Sequence, residues 1–191
     1  RRSSGSLARA FGTMASNRGR GGRGGRGTGV VYSEAASSSS PHAIQHLYLD
    51  LDGVLADFAA GIESLGVSGK NTSAMWHAVA KHGSFFESLP MMADGAALYA
   101  GCKRLGVPMS ILTGLPDGKK FASDARRQKE LWCARELDRH LPVITCMSTQ
   151  KHLWSAKGNV LVDDRISHKA RWEKNGGIFV HHTSAAASLE A

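Results

Sequence analysis

Leu47-Tyr-Leu-Asp50-Leu-Asp52-Gly53-Val-Leu-Ala-Asp-Phe58 is the stretch on which the fold turns. The short apolar run 47–49, bounded by polar and turn residues, predicts a buried strand that ends at Asp50. Asp50 and Asp52 lie two apart on an extended segment and so project toward the same side, while Gly53 lets the backbone turn away beneath them. Similar Leu/Val/Ile-rich runs recur at 107–112, 143–144, 160–162 and 178–180, separated by stretches of helical spacing at 93–105, 119–137 and 167–174. Such alternation predicts an α/β fold, a three-layer Rossmann-like arrangement in which a mostly parallel sheet is flanked by helices.

The residues just past the apolar runs carry the chemistry. The second run leads into Thr113-Gly114 and the fourth into Asp163-Asp164, so three strands deliver polar residues at their carboxyl ends, the edge where open α/β sheets bind ligands. Four carboxylates, Asp50, Asp52, Asp163 and Asp164, are expected to crowd one crevice. A cation or protonation must relieve such a cluster, and hard oxygen donors suit Mg²⁺. Other chemistries find no support. A phosphate-binding loop around Gly69-Lys70 would need Gly at 64 and Ser or Thr at 71, where Ser64 and Asn71 stand. The nine histidines form no H-E-x-x-H or Cys/His ligand pattern and read as structural or surface residues.

The motif Asp50-Leu-Asp-Gly-Val-Leu-Ala-Asp-Phe58 resembles the first motif of the haloacid dehalogenase (HAD) superfamily, in the form of its 5'(3')-deoxyribonucleotidase-like branch. Ile111-Leu-Thr-Gly114 is similar to the second motif, Lys151 stands where the third supplies its lysine, and Val160-Leu-Val-Asp-Asp-Arg165 resembles the acidic fourth. Lys157 is a rival for the lysine, but six residues before Asp163 it falls where the strand already begins. Trp172-Glu, Gly176-Gly177 and Lys151-His-Leu-Trp-Ser-Ala156 look like the small phage and bacterial HAD phosphatases, and the resemblance spans residues 46–184. It implies two-step phosphoryl transfer. Asp50 would be the nucleophile and Asp52 the general acid and base, Thr113 and Gly114 would hold phosphate oxygens, and Lys151 would neutralise charge. Mg²⁺ would be held by Asp50, by Asp52 through its carbonyl, and by Asp163 and Asp164 directly or through water.

The resemblance also assigns substrate choice to the insert after the first motif, residues 59–92, expected as a short cap with one helix at 73–82. Phe58, Trp76, Phe85 and Phe86 are candidates to stack on a nucleobase, with the core of the cap as their alternative role; Arg165 is a candidate phosphate contact or a surface ion-pair former. Thr113-Gly114 departs from the Thr-Ser common in the nucleotidases, which weakens the transfer of substrate class.

The chain of 191 residues has a mean hydropathy of −0.23, suits one domain, and holds no apolar run near the ~18 residues of a membrane helix. Its three cysteines, odd in number and widely spaced, suggest a reducing compartment. The net charge of +8 is unevenly spread: residues 1–41 carry seven Arg and one acid, Glu34, so +6 of it belongs to them. Gly, Ser and Arg dominate there, including Arg18-Gly-Arg-Gly-Gly-Arg-Gly-Gly-Arg-Gly27, and predict a disordered tail ahead of a hydrolase domain at 42–191. The tail reads as a mitochondrial or plastid transit peptide, an RGG segment contacting RNA, or an inert extension of a cytoplasmic protein. Met14 offers an alternative coding start. The expectation is an Mg²⁺-dependent phosphomonoesterase acting on a nucleotide or another small phosphate ester, with no membrane partner. The rival readings are an RNA-associated protein working through its tail and a non-catalytic component of an assembly.

Overall fold

The computed structural model describes residues 43–191; the tail at 1–41, with its transit-peptide and RGG readings, lies outside the described residues. The chain enters strand β1 (His46–Leu49), passes Asp50 and Gly53, and forms helix α1 (Phe58–Ser64), capped by Asp57, whose carboxylate accepts from the Ala60 amide at 2.9 Å. Helix α2 (Thr72–His82) starts at Asn71, which accepts from the Ala74 amide, and stops at Gly83, whose φ of 81° no β-carbon-bearing residue adopts cheaply. A single turn, α3 (Phe85–Ser88), comes next, then α4 (Gly95–Arg104), β2 (Met109–Leu115), α5 (Lys119–Glu136) and β3 (Val143–Met147). A 3-10 helix (Ser148–Trp154), β4 (Asn159–Asp163), a 3-10 turn (Ile166–His168), α6 (Lys169–Lys174), β5 (Ile178–His181) and α7 (Ala185–Glu190) complete it.

The five strands form one sheet in the order β3-β2-β1-β4-β5, every pairing parallel. This is the expected Rossmann-like α/β architecture. Connections from β1 run outward through β2 to β3, then cross back to β4 on the other side, so the gap between the ends of β1 and β4 is the topological switch point. Both sheet faces are buried, as consecutive apolar residues in each strand require. Leu47, Leu49, Ile111, Val160 and Val162 pack on one face with Leu98 of α4, Trp132 of α5 and Ala185 of α7. Tyr48, Leu112, Leu161 and Phe179 pack on the other, covered by Trp172 of α6 and Trp154 of the 3-10 helix. The two outer layers are unequal: the first also carries the insert, whereas the second is one short helix and a 3-10 segment.

Several sequence expectations shift. Strand β2 begins at Met109 rather than 107 and includes Thr113 and Gly114. Beyond Ile111 it no longer pairs with β1, but β3 extends it through Thr113↔Thr145 to Leu115↔Met147. The segment 167–174 is helical only from Lys169, after the 3-10 turn. The insert holds three helices rather than one, because Asp57 and Phe85-Phe86 act through caps and burial that a short window does not reveal. Helix α7 had no sequence signal; it lies so close to α4 that a β-carbon on Gly101 would come within 2.5 Å of the Leu189 side chain. No described helix is long and apolar enough to cross a membrane.

Candidate active site

Asp50 leaves β1 at the switch point, 4% exposed, its amide donating to the Val162 carbonyl of β4 at 2.9 Å. That bond sets Asp50 beside Asp163, the last residue of β4, which is fully buried. Lys151, on the 3-10 helix and 2% exposed, reaches between them: its Nζ lies 2.8 Å from Asp50 Oδ2 and 2.7 Å from Asp163 Oδ2. The remaining oxygens accept from the backbone, Asp50 Oδ1 from the Leu51 amide at 2.7 Å and Asp163 Oδ1 from the Arg165 amide at 2.8 Å. The lysine expected from sequence is therefore the one the structure brings to the carboxylates.

Asp164 completes the group. One oxygen from each of Asp50, Asp163 and Asp164 lies within 4.8 Å of the other two, and Asp164 Oδ1 has no hydrogen-bond partner among the described residues. Burial and the negative charges of Asp50 and Asp163 push the Asp164 carboxyl up to about 6. Asp163 is raised by burial and by Asp50, against the pull of Lys151. Burial acts to lower Lys151, but its two carboxylate neighbours outweigh it and its pKa is raised. Gly53 makes this approach possible. Its φ is 80°, and a β-carbon there would sit 2.6 Å from Asp164 Oδ2.

A divalent cation fits this donor set. The ligands are all hard oxygens, one is unpartnered, and each carboxylate oxygen that already accepts a hydrogen bond keeps a second lone pair. Of the four carboxylates expected in the crevice, three come close enough to share a cation, whereas Asp52 lines the same cavity without joining them. Asp52 lies beyond the strand end, in a turn that bridges to Ala56, and its side chain swings to Lys129 of α5, Oδ2 to Nζ 2.5 Å. Burial raises the Asp52 pKa, Lys129 opposes the rise and Asp50 adds to it.

Lys129 is the residue the sequence reading missed. It is fully buried, donates to Thr113 Oγ1 at 2.9 Å as well as to Asp52, and lies 4.7 Å from the centre of the Phe86 ring. A signal existed: Ala125, Gln128, Lys129, Trp132 and Cys133 form the buried stripe of α5 at helical spacing, so a lysine stands where an apolar residue is expected.

Over these groups opens a cavity of about 390 Å³ whose lining includes Asp50, Asp52, Gly114, Lys151, Asp164 and Arg165. Phe58, Trp76 and Phe86 form its apolar wall; Phe58 and Trp76 have ring centres 6.0 Å apart, and Phe58 and Phe86 6.4 Å. Phe85 is not on that wall. It packs edge-on beneath Phe58 at 5.5 Å, 2% exposed, as part of the core. Phe121 of α5, not anticipated from sequence, backs Trp76 at 6.1 Å and lines a neighbouring cavity of about 540 Å³. Thr113 is fully buried and not among the lining residues, whereas Gly114 is; a β-carbon on Gly114 would come 3.2 Å from Ser148 Cβ. The Arg165 guanidinium is exposed and donates to Ser148 Oγ at 3.2 Å, which places it at the mouth of the crevice with no acidic partner among the described residues.

No protein-family model and no curated protein matches the sequence. Solved structures with a similar fold include a hydrolase from Streptococcus pneumoniae TIGR4, 12% identical, covering 74% of this chain and 94% of that one with a TM-score of 0.43. A haloacid dehalogenase-like family hydrolase from Streptococcus pneumoniae covers 77% and 90% at 12% identity, TM-score 0.45. A HAD family hydrolase from Deinococcus radiodurans R1, with bound phosphate and sodium, covers 78% and 90% at 12% identity, TM-score 0.47. Likenesses this distant do not transfer an activity.

Proposed function

We propose that this chain is a HAD-type, Mg²⁺-dependent phosphomonoester hydrolase acting on a nucleotide or another small phosphate ester. The observation that carries the reading is the convergence of Asp50, Asp163 and Asp164 at the switch point, with the buried Lys151 ammonium between the first two. In the reaction Asp50 attacks phosphorus in line; the Asp50 oxygen–phosphorus bond forms as the bond to the leaving oxygen breaks. Asp52 gives that oxygen a proton. Its Oδ2 is held by Lys129, and Oδ1 has no hydrogen-bond partner among the described residues, which leaves that oxygen free to carry a proton. Water then attacks the aspartyl-phosphate, Asp52 takes the water proton, and phosphate leaves as Asp50 is restored. Lys151 and the Gly114 amide offset charge on the transferring group, joined by the Thr113 hydroxyl. Asp50, Asp163 and Asp164 would hold Mg²⁺, with the Asp52 carbonyl, and the ion would supply charge neutralisation at the phosphoryl oxygens. The aromatic wall of Phe58, Trp76 and Phe86 supports a flat, apolar leaving group such as a nucleoside.

A hydrolysis screen over nucleoside monophosphates and sugar phosphates, with and without Mg²⁺, tests the proposal. Activity is expected with Mg²⁺ and lost in Ca²⁺, whose looser shell displaces the nucleophile. Asp50→Asn should melt normally while losing on the order of 10⁴-fold or more in kcat. Near-native turnover by that variant, or full activity in excess chelator, would overturn it.

A further inference from the structure

Lys129 is an expensive residue for its place. Met or Leu at this point of the α5 stripe would fill a similar volume without taking an ammonium out of water, so packing alone does not account for a lysine. All its polar contacts are to the candidate active site. Two of its three N–H groups go to Asp52 Oδ2 at 2.5 Å and Thr113 Oγ1 at 2.9 Å, and the ammonium lies over the Phe86 ring at 4.7 Å. These partners come from three separate elements: the turn after β1, strand β2 and helix α3 of the insert.

We infer that Lys129 is a positioning residue for phosphoryl transfer: by holding Oδ2 it fixes the rotamer of Asp52, and it dictates the direction in which the Thr113 hydroxyl donates. The second point rests on donor counting. An ammonium cannot accept, so Thr113 Oγ1 must, and the hydroxyl hydrogen is left for another acceptor. Lys129 is not itself among the residues that line the cavity; it acts through Asp52 and Thr113. Its neighbour Gln128 ties the same helix to the insert, accepting from the Phe86 amide at 3.0 Å and donating to the Gly83 carbonyl at 3.0 Å, so α5 holds the acid and the cavity wall in one frame.

The inference rests on Asp52 as general acid, and its test separates the two. The probes are p-nitrophenyl phosphate, whose leaving group departs without protonation, and a nucleoside 5'-monophosphate, whose alkoxide needs the proton. Lys129→Met and Lys129→Gln are both made, so that the result does not hang on the folding of one variant. Each is expected to lose kcat/KM at least about tenfold more on the nucleotide than on the p-nitrophenyl ester. The double variant with Asp52→Asn should lose little beyond Asp52→Asn alone, as for two residues acting as one unit. Equal losses on both esters, or losses that add to that of Asp52→Asn, would reduce Lys129 to a core residue and overturn the inference. A wild type that hydrolyses neither ester overturns the phosphatase reading, and this inference with it.

Discussion

At the scale of the residue, the close contact between Gly53 and Asp164 does most to shape the carboxylate group. Gly53 combines a φ of 80° with a β-carbon position already filled by the Asp164 carboxylate, so any side chain there is opposed twice. Gly53→Ala is expected to cost roughly 1–2 kcal/mol in a denaturant melt from the backbone alone. It should also displace Asp164 and raise the Mg²⁺ concentration needed for half-maximal activity by about tenfold, as disturbance of a metal ligand's setting typically does. Asp164→Asn serves as the control, raising the Mg²⁺ requirement without the backbone penalty. An alanine variant with unchanged Mg²⁺ dependence would show that Asp164 is not a ligand.

The element that organises the site is α5. Its buried stripe meets the insert at three successive points: Gln128 at α3, Lys129 at Asp52 and Phe86, and Trp132, whose indole N–H donates to the Leu89 carbonyl at 2.8 Å. Gln128→Ala would leave the buried Phe86 amide without an acceptor, a loss of about 1–3 kcal/mol in unfolding free energy. Because Phe86 belongs to the cavity wall and Gln128 touches no reacting group, KM for a nucleotide should rise several-fold while kcat changes little. Steady-state kinetics and a urea melt of the same preparation check both parts. A variant that lost kcat at constant KM would move the function of α5 from the wall to the chemistry. This dependence of the insert on a distant helix also explains why its three-helix form was poorly legible: α3 is a single turn, held by a glutamine 42 residues away rather than by its own periodicity.

At the scale of the molecule, the unequal layers on the two sheet faces still leave both cores closed to solvent, and the cysteines report on this. Cys102 of α4 and Cys133 of α5 lie in the larger core, Cys146 of β3 in the smaller, and all three are free thiols. Burial pushes them up to about 11, 12 and 11 respectively, so none is a ready thiolate at pH 8. Labelling with a thiol reagent should be slow in buffer and should accelerate together for all three as denaturant unfolds the chain. Rapid stoichiometric labelling of Cys146 alone would show that the thin layer of α6 and the 3-10 helix opens independently.

The parallel α/β plan was legible along the chain, because runs buried on both faces separated by helical spacing admit little else. So were the places of Asp50, Asp163 and Asp164, because strand ends in such a sheet share one edge; Lys151, on the 3-10 helix, was singled out by its resemblance to the third motif. The order of the strands, which puts β1 between β2 and β4 and so sets Asp50 beside Asp163, came from the folded molecule alone, since the β1–β4 pairing joins residues more than a hundred positions apart. Folding also tied Asp52 to a lysine 77 positions later, and brought Phe86 but not Phe85, both of them core residues, to the cavity lining. Local periodicity states which side of an element is buried; whether a buried polar group there finds a partner, and what it then does, is settled by charges and hydrogen bonds that meet only when distant segments pack.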